Sequence, residues 1–294
     1  MGLNRVRKWL PVDHYTGGIE HATTHHLYAR FIWKAMLDTG HLPPEVGEEP
    51  FKQLRLHGWI LHEGAKMSKS RGNVVNPDKY VSQYGADVMR AHMLFAGDYV
   101  EGGDFRDSAI SGIVHFYHRL WDWVNAGGST SPSAESEDRA RRALHKAIKK
   151  VSEDLPALRF NTAIAILMET VNVLRQSGLS AQMHHELARD LVLLLAPIAP
   201  FLAEELWEGL GGAFSVHQQR WPSFDASLVA GEVVIIPIQI NGKTRGRIEV
   251  EAGANEEAVT KKALALPEMQ KHVQGKRVVK SYYVPNRLIN LVVE

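Results

Sequence analysis

Apolar positions along the chain repeat in different ways, and the changes of period mark its organisation. Across 20–38, Ala22, Leu27, Phe31, Ala35 and Met36 recur at helical spacing, with Gly40 just past the end. Gly17 and Gly18 precede this predicted helix. After a Pro-rich link at 42–50, the run Gly58-Trp59-Ile60-Leu61 has the pattern of a short buried strand, followed by a polar, Gly-bounded loop at 63–72. Asn76-Pro77-Asp78 opens a helix: Asn76 can cap it, Pro77 suits its first position, and Asp78 favours its positive end. Asp87 is expected to cap another helix that runs through Phe95. From about residue 105 the period is helical throughout, over 110–125, 136–155, 161–177, 181–195 and 201–209. A Gly/Ser/Pro connection at 127–133 and the breaker Ala196-Pro197-Ile198-Ala199-Pro200 interrupt it. Short links between these helices predict an antiparallel bundle. Beyond residue 232 the period shortens. Residues 233–240 and 245–250 form a hairpin around Asn241-Gly242, a type I′ turn signal. A helix at 256–270, its last turns disturbed by Pro267, and strands at 278–284 and 288–293 complete a small α+β region. There is no internal repeat.

Composition narrows the class. The 294 residues are 45% hydrophobic and 23% charged, which excludes disorder and suits two or three domains. No apolar run reaches the ~20 residues of a membrane span, and the basic first ten residues lack the apolar core of a secretory signal. With no cysteine, disulfides, thiolate zinc sites and cysteine nucleophiles are excluded, and a cytoplasmic location is expected. A net charge of +1 means that any nucleic acid must be held by local patches.

Two segments carry candidate chemistry. Lys66-Met67-Ser68-Lys69-Ser70, with Arg71, interleaves flexible cations with hydroxyls, which suits a polyphosphate transition state. Its spacing is not that of a Walker loop. Gly17-Gly18-Ile19-Glu20-His21, followed by His25, offers close backbone approach to a ligand, a carboxylate for ribose hydroxyls and two imidazoles four residues apart on one helix face. A zinc site is the competing reading. The order Glu-His-x-x-x-His is wrong for a His-Glu-x-x-His site, so no metal is assigned. Arg90 lies one helical turn after Asp87. In the last region Lys243, Arg245, Arg247, Lys261, Lys262, Lys271, Lys276, Arg277 and Lys280 could grip RNA phosphates. Arg245 and Arg247 would share one side of a strand, although Glu249, Glu251, Glu256 and Glu257 lie nearby.

These residues resemble the class I aminoacyl-tRNA synthetases. Residues 66–70 look like that family's second signature. The run Trp9-Leu10-Pro11-Val12-Asp13-His14-Tyr15-Thr16-Gly17-Gly18-Ile19-Glu20-His21-Ala22 is similar to the leucyl-tRNA synthetase version of the adenosine-binding segment. Residues 160–165, 194–200 and 203–207, then Trp221-Pro222 and the hairpin from Ile240 to Lys243, are similar in the same order to its helical anticodon-binding domain and tail. The resemblance implies formation of leucyl-adenylate from L-leucine and ATP with Mg2+, and transfer of leucine to tRNA(Leu). Gly17, Gly18, Glu20, His21 and Met67 would line the ATP site, and His21 and His25 the leucine pocket. Lys66, Ser68, Lys69 and Ser70 would act on the phosphates, with Lys69 foremost. Arg90, Lys243, Arg245 and Arg247 would contact tRNA.

The implied architecture is the second half of a Rossmann catalytic domain (1–57), the signature loop with a stem-contact fold (58–104), a helical anticodon-binding domain (105–230) and a small α+β tRNA-binding domain (231–294). The His-x-Gly-His signature of the first Rossmann half is absent from the sequence. Met1 falls in the gap just before the second half. A β-type subunit of a split enzyme is therefore expected, inactive without an α-type chain carrying that signature and the editing domain. A non-catalytic tRNA-binding relic is the alternative. His26 stands where the family suggests an apolar residue, and Phe201 where it suggests histidine.

Overall fold

The computed structural model describes residues 2–229, 233–251, 253–274 and 278–293; Lys276 and Arg277, among the basic residues above, lie outside them. The chain forms two compact units, Met1–Pro222 and Ser223–Glu294.

The first unit begins with helix α1 (Leu3–Trp9) and strand β1 (Val12–Gly18). Helix α2 (His25–Asp38) returns the chain, so that strand β2 (Phe51–His57) pairs with β1 in parallel, Val12 opposite Phe51 and Gly18 opposite His57. Both strands escape the sequence reading, because neither alternates cleanly. The pair is a two-stranded sheet, with no further strand joining it among the described residues. Parallel sheets are ordinarily covered on both faces. Here Leu27, Tyr28, Phe31 and Ile32 of α2 are each more than half exposed. The core beneath is small: Val6, Trp33, Leu42 and Val46.

A second sheet has the order β4-β3-β6-β5, from β3 (Ile60–His62), β4 (Ala65–Lys66), β5 (Gly97–Asp98) and β6 (Gly102–Phe105). The predicted buried strand at 58–61 is thus displaced: Trp59 lies before β3 and is 42% exposed. Its backbone is clamped instead. Gly102 crosses it with φ +87, and a Cβ there would lie 2.2 Å from the Trp59 carbonyl oxygen. Glycine is required at such a crossing for space and for backbone conformation alike. Helix α3 (Pro77–Tyr84) starts as expected, with Asn76 Oδ1 accepting from Asp78 N at 3.0 Å.

Helix α4 (Ala86–Phe95) corrects the expectation for Asp87. Gly85 occupies its N-cap, and the Asp87 carboxylate turns away to another helix. It accepts the backbone N–H of Leu202 at 2.8 Å, in the first turn of α9 (Pro200–Gly209), and pairs with Arg90. A residue that looks like a local cap therefore ties together elements 115 residues apart.

Helices α5 (Asp107–Ala126), α6 (Ala134–Asp154), α7 (Phe160–Arg175), α8 (Ala181–Leu195) and α9 form the bundle around Leu120, Leu144, Ile164, Leu167, Leu191 and Trp207. Ser133 and Ser180 cap α6 and α8. Helix α7 starts a residue before the predicted Asn161. Thr162 does not cap it but donates to Asp154, whose buried carboxylate also takes Lys150 and Arg159. Burial pushes the Asp154 carboxyl up, but the hydrogen bonds from Lys150, Thr162 and Arg159 outweigh it and hold it below the usual carboxylate range. A lowered folded-state value stabilises the fold above the unfolded-state value near 3.9, and this contribution is lost as pH falls through the folded-state value. Wild type should therefore lose more stability than Asp154→Asn when urea unfolding is compared at pH 5 and pH 2.5. Equal losses would remove Asp154 as a source of acid sensitivity.

The second unit opens with a short helix, α10 (Ala226–Val229). Its sheet has the order β8-β7-β10-β9, from β7 (Val233–Ile240), β8 (Lys243–Glu251), β9 (Val278–Val284) and β10 (Leu288–Val293). The hairpin turn is as predicted, with Asn241 and Gly242 both at positive φ. The predicted single helix is two, α11 (Glu256–Leu264) and α12 (Pro267–Val273), because Pro267 starts a helix more easily than it continues one. They pack over Ile236, Ile238, Ile248, Ile289 and Leu291. No helix among the described residues is long and apolar enough to cross a membrane.

Candidate active site

The glycine segment ends β1 and enters a 3-10 turn, Ile19–Thr23, before α2 begins. The expected continuous helix from Glu20 is thus broken at Thr24. The hydroxyls of Thr23 and Thr24 both donate to the Glu20 carbonyl, at 3.2 and 3.3 Å, and compete with helical bonding there. His21 and His25 therefore do not share one regular helix face. They still converge, with ring centroids 6.3 Å apart, and His26 lies 6.5 and 6.3 Å from them. The hydroxyl of Tyr15 bonds His25 Nδ1. His26 is buried edge-on against Tyr15, with neither ring nitrogen partnered. Its pKa is lowered, first by burial and then by His25 and His21. The neutral ring thus fills a buried position, as the apolar residue of the family pattern would.

Glycine at 18 has a local reason. A Cβ there would lie 2.4 Å from Glu20 Oε2, so the bare backbone lets the carboxylate fold back over it. Held there, Glu20 Oε2 accepts the indole N–H of Trp59 at 3.0 Å. This bond, first among the causes, keeps the Glu20 carboxyl below its usual range. On the same indole, 3.5 Å above the ring, sits the Lys66 ammonium. One side chain that sequence reasoning overlooked therefore joins the glycine segment to the signature loop. Its only sequence signal was a tryptophan just after a glycine at a strand edge, too generic to use.

The loop itself is organised by Asn73, also overlooked. Asn73 Oδ1 accepts from Ser68 N at 2.9 Å, and its amide donates to the Lys66 carbonyl at 3.2 Å. Ser68 and Ser70 share a hydroxyl contact at 2.8 Å. Met67 turns its side chain towards the cluster of Tyr80, Phe105 and Ile110. Lys69 and Arg71 are exposed on the outer turn.

The structure thus brings together Gly17, Gly18, Glu20, His21, His25 and Lys66, with Met67, Ser68, Lys69 and Ser70 on the adjoining loop. It does not add Arg90, which is engaged by Asp87. Lys243, Arg245 and Arg247 are exposed in the second unit. There Ile238 pairs with Gly246 and Gln239 with Thr244, leaving Arg245 in a bulge. Arg245 and Arg247 are both exposed, on either side of the half-buried Gly246.

Comparison with known proteins decides the family. Residues 19–105 match the family of class I tRNA synthetases (I, L, M and V), and residues 138–260 match the anticodon-binding domain of tRNA ligases. Over 98% of its length the chain is similar to leucine–tRNA ligases from Herpetosiphon aurantiacus (47% identical, 36% of that protein) and Rubrobacter xylanophilus (46%, 35% of that protein). The chain belongs to the class I aminoacyl-tRNA synthetases, on the leucine branch. It spans about a third of the length of these relatives and corresponds to their C-terminal part. A solved ternary complex from Agrobacterium radiobacter, described as LeuRS-tRNA-LeuAMS, aligns over 98% of this chain and 39% of that one, with TM-score 0.69 and 36% identity. The α/β fold is that of a synthetase catalytic-domain fragment joined to an anticodon-binding domain.

Within a synthetase site the Gly18 geometry makes a prediction. Gly18→Ala should leave the fold intact, because the clash is with a movable carboxylate, but drive Glu20 off the indole. For a carboxylate that takes ribose hydroxyls, the new Cβ would occupy the place the carboxyl group now fills, so in a complex completed by an N-terminal portion the ATP KM should rise about tenfold at near-wild-type melting temperature, about 1.4 kcal/mol of lost binding. An unchanged KM would show that Glu20 does not need this position.

Proposed function

We propose that this chain forms one wall of a leucyl-adenylate site and takes part in ATP-dependent activation of L-leucine and its transfer to tRNA(Leu). The observation that carries the reading is the convergence of Glu20 and Lys66 on one indole. It sets a carboxylate suited to ribose hydroxyls beside a cation suited to the triphosphate. Gly17, Gly18, Glu20 and His21, with the backbone of Met67, hold the adenosine. His21 and His25 face the amino acid, His25 with its Nδ1 fixed by Tyr15. Lys66 and Lys69, aided by Ser68 and Ser70, stabilise charge as pyrophosphate leaves with the Mg2+ that accompanies ATP.

Residues 1–57 then act as the second Rossmann half, 58–104 as loop and stem-contact fold, 105–230 as the anticodon-binding domain, and 231–294 as a tRNA-binding module using Lys243, Arg245 and Arg247. Arg90, paired with Asp87, is the tRNA contact of the stem-contact fold. The opposing wall, with the His-x-Gly-His signature and the editing domain, comes from an N-terminal portion outside this chain, in a cytoplasmic enzyme. The bare parallel strands and the exposed Leu27, Tyr28, Phe31 and Ile32 support such a partner.

The test is leucine-dependent exchange of pyrophosphate into ATP, run with this chain alone and mixed with the N-terminal portion of a relative. Exchange only in the mixture is expected. Full exchange by the chain alone would sink the shared site. No exchange in the mixture, with tRNA still bound, would favour a non-catalytic tRNA-binding module.

A further inference from the structure

The contacts of Trp59 go beyond shape. Its backbone is pinned: Gly103 N donates to its carbonyl at 3.1 Å, Gly58 N donates to the Tyr99 carbonyl at 2.9 Å, and Gly102 passes against it. Its indole is partly open to solvent, so it stands as a fixed post rather than a packed core residue. The edge of the ring gives its N–H to Glu20 while the face holds Lys66. These two contacts reinforce each other. A carboxylate drawing on the N–H enriches the ring in electron density, and a richer ring holds a cation more firmly.

We propose that Trp59 is a positioning residue that couples the two halves of the ATP site: it retains Lys66 while Glu20 is free of ligand, and surrenders Lys66 when a ribose diol takes the Glu20 carboxylate. This rests on the reading of Glu20 and Lys66 as adenosine and phosphate groups. Both ribose hydroxyls need carboxylate oxygens, and the indole N–H occupies one of them. A nucleoside therefore competes with the indole for Glu20. Once the N–H is displaced, the ring loses the polarisation that strengthened its hold on the ammonium. Lys66 is then released when a nucleotide is present to receive it. By linkage, drawing Lys66 onto phosphate must favour ribose at Glu20 by the same factor.

Limited trypsin digestion of the full chain tests this, because trypsin cuts after Lys66 and after Lys69. The ratio of the two cuts, read by mass spectrometry, isolates Lys66 from general unfolding, which would raise both. Trp59→Leu removes the ring and should raise the Lys66:Lys69 ratio about fivefold, the lower end of typical site coupling. Adenosine should raise the wild-type ratio towards the same level, and 2′,3′-dideoxyadenosine, which lacks the diol, should not. Trp59→Phe keeps a ring face without the N–H, so its ratio should ignore adenosine. An unchanged ratio in Trp59→Leu would overturn the proposal, as would a Trp59→Phe chain that still responds. Adenosine binding is measured separately by calorimetry. Failure of adenosine to bind would remove the adenosine-site reading and the release step with it, and the ligand-free ratio would still decide whether Trp59 holds Lys66. Adenosine binding with no change in ratio would overturn the coupling alone.

Discussion

Lys69→Ala is expected to lower leucine-dependent pyrophosphate exchange by about 10²- to 10³-fold in the mixture with an N-terminal portion, with the melting temperature unchanged. Lys69 is exposed on the outer turn of the loop, and substitutions at such positions usually alter stability by no more than about 0.5 kcal/mol. The loss should therefore be kinetic. Phosphoryl chemistry leaves the protein little to do beyond positioning and charge stabilisation, so removing one transition-state cation acts on the rate. The fall should appear mostly in kcat, because the charge it meets grows as pyrophosphate departs. Lys66→Ala should differ in kind. Lys66 starts on the Trp59 ring, so its loss also frees the indole, and ATP KM should move as well. Lys69→Ala with full exchange would show that the loop does not serve the phosphates. A fall in exchange matched by a fall in melting temperature would mean that the loop was misfolded rather than disarmed.

The second large effect concerns stability. Asp87→Ala should destabilise the first unit by about 3 kcal/mol, from a charge-assisted bond to the Leu202 N–H and an ion pair whose carboxylate is buried while Arg90 stays partly open to solvent. Asp87 is buried, pairs with Arg90 and accepts the Leu202 N–H in the first turn of α9. Alanine removes that capping bond, leaves the Arg90 guanidinium without its carboxylate, and unties α4 from α9. For a unit of this size the melting temperature should fall by roughly 6–12 °C. Asp87→Asn keeps an oxygen for Leu202 and should lose less, which separates the cap from the ion pair. A fall of only a degree or two in the alanine variant would mean that the contact is incidental. An ordinary N-terminal cap of α4 would be worth about 1 kcal/mol, so the size of the loss itself distinguishes the two roles.

Much of the organisation was legible in the sequence because it is written in local terms. The bundle helices came from apolar periodicity, the start of α3 from Asn76-Pro77-Asp78, and the β7–β8 turn from Asn241-Gly242. Each of these rests on residues within one or two turns of one another. The two errors of continuity were local as well. Pro267 suits the first turn of a new helix better than the last turns of an old one, and Thr24 sits where paired threonine hydroxyls pull the chain out of helix. Both could have been found from side-chain chemistry. Strands β1 and β2 could not. Neither strand of this parallel pair alternates cleanly, and the pairing itself is made across an intervening helix.

The chemistry divides in the same way. The sequence by itself determined which groups are available: two glycines before Glu20, three nearby histidines, a loop of lysines and serines, and a basic hairpin. It also determined the family, because the order and wording of those motifs match leucine enzymes over nearly the whole chain. Only the tertiary structure decided which groups meet. It set Trp59 between Glu20 and Lys66, gave the Tyr15 hydroxyl to His25, turned Asp87 from its own helix to a distant one, and left Arg245 in a bulge. The reason is physical. Periodicity and turn chemistry act over a few residues, where φ/ψ preferences and neighbouring side chains dominate. A hydrogen bond spanning 39 or 115 residues depends on how whole elements pack, and no single stretch of sequence contains it.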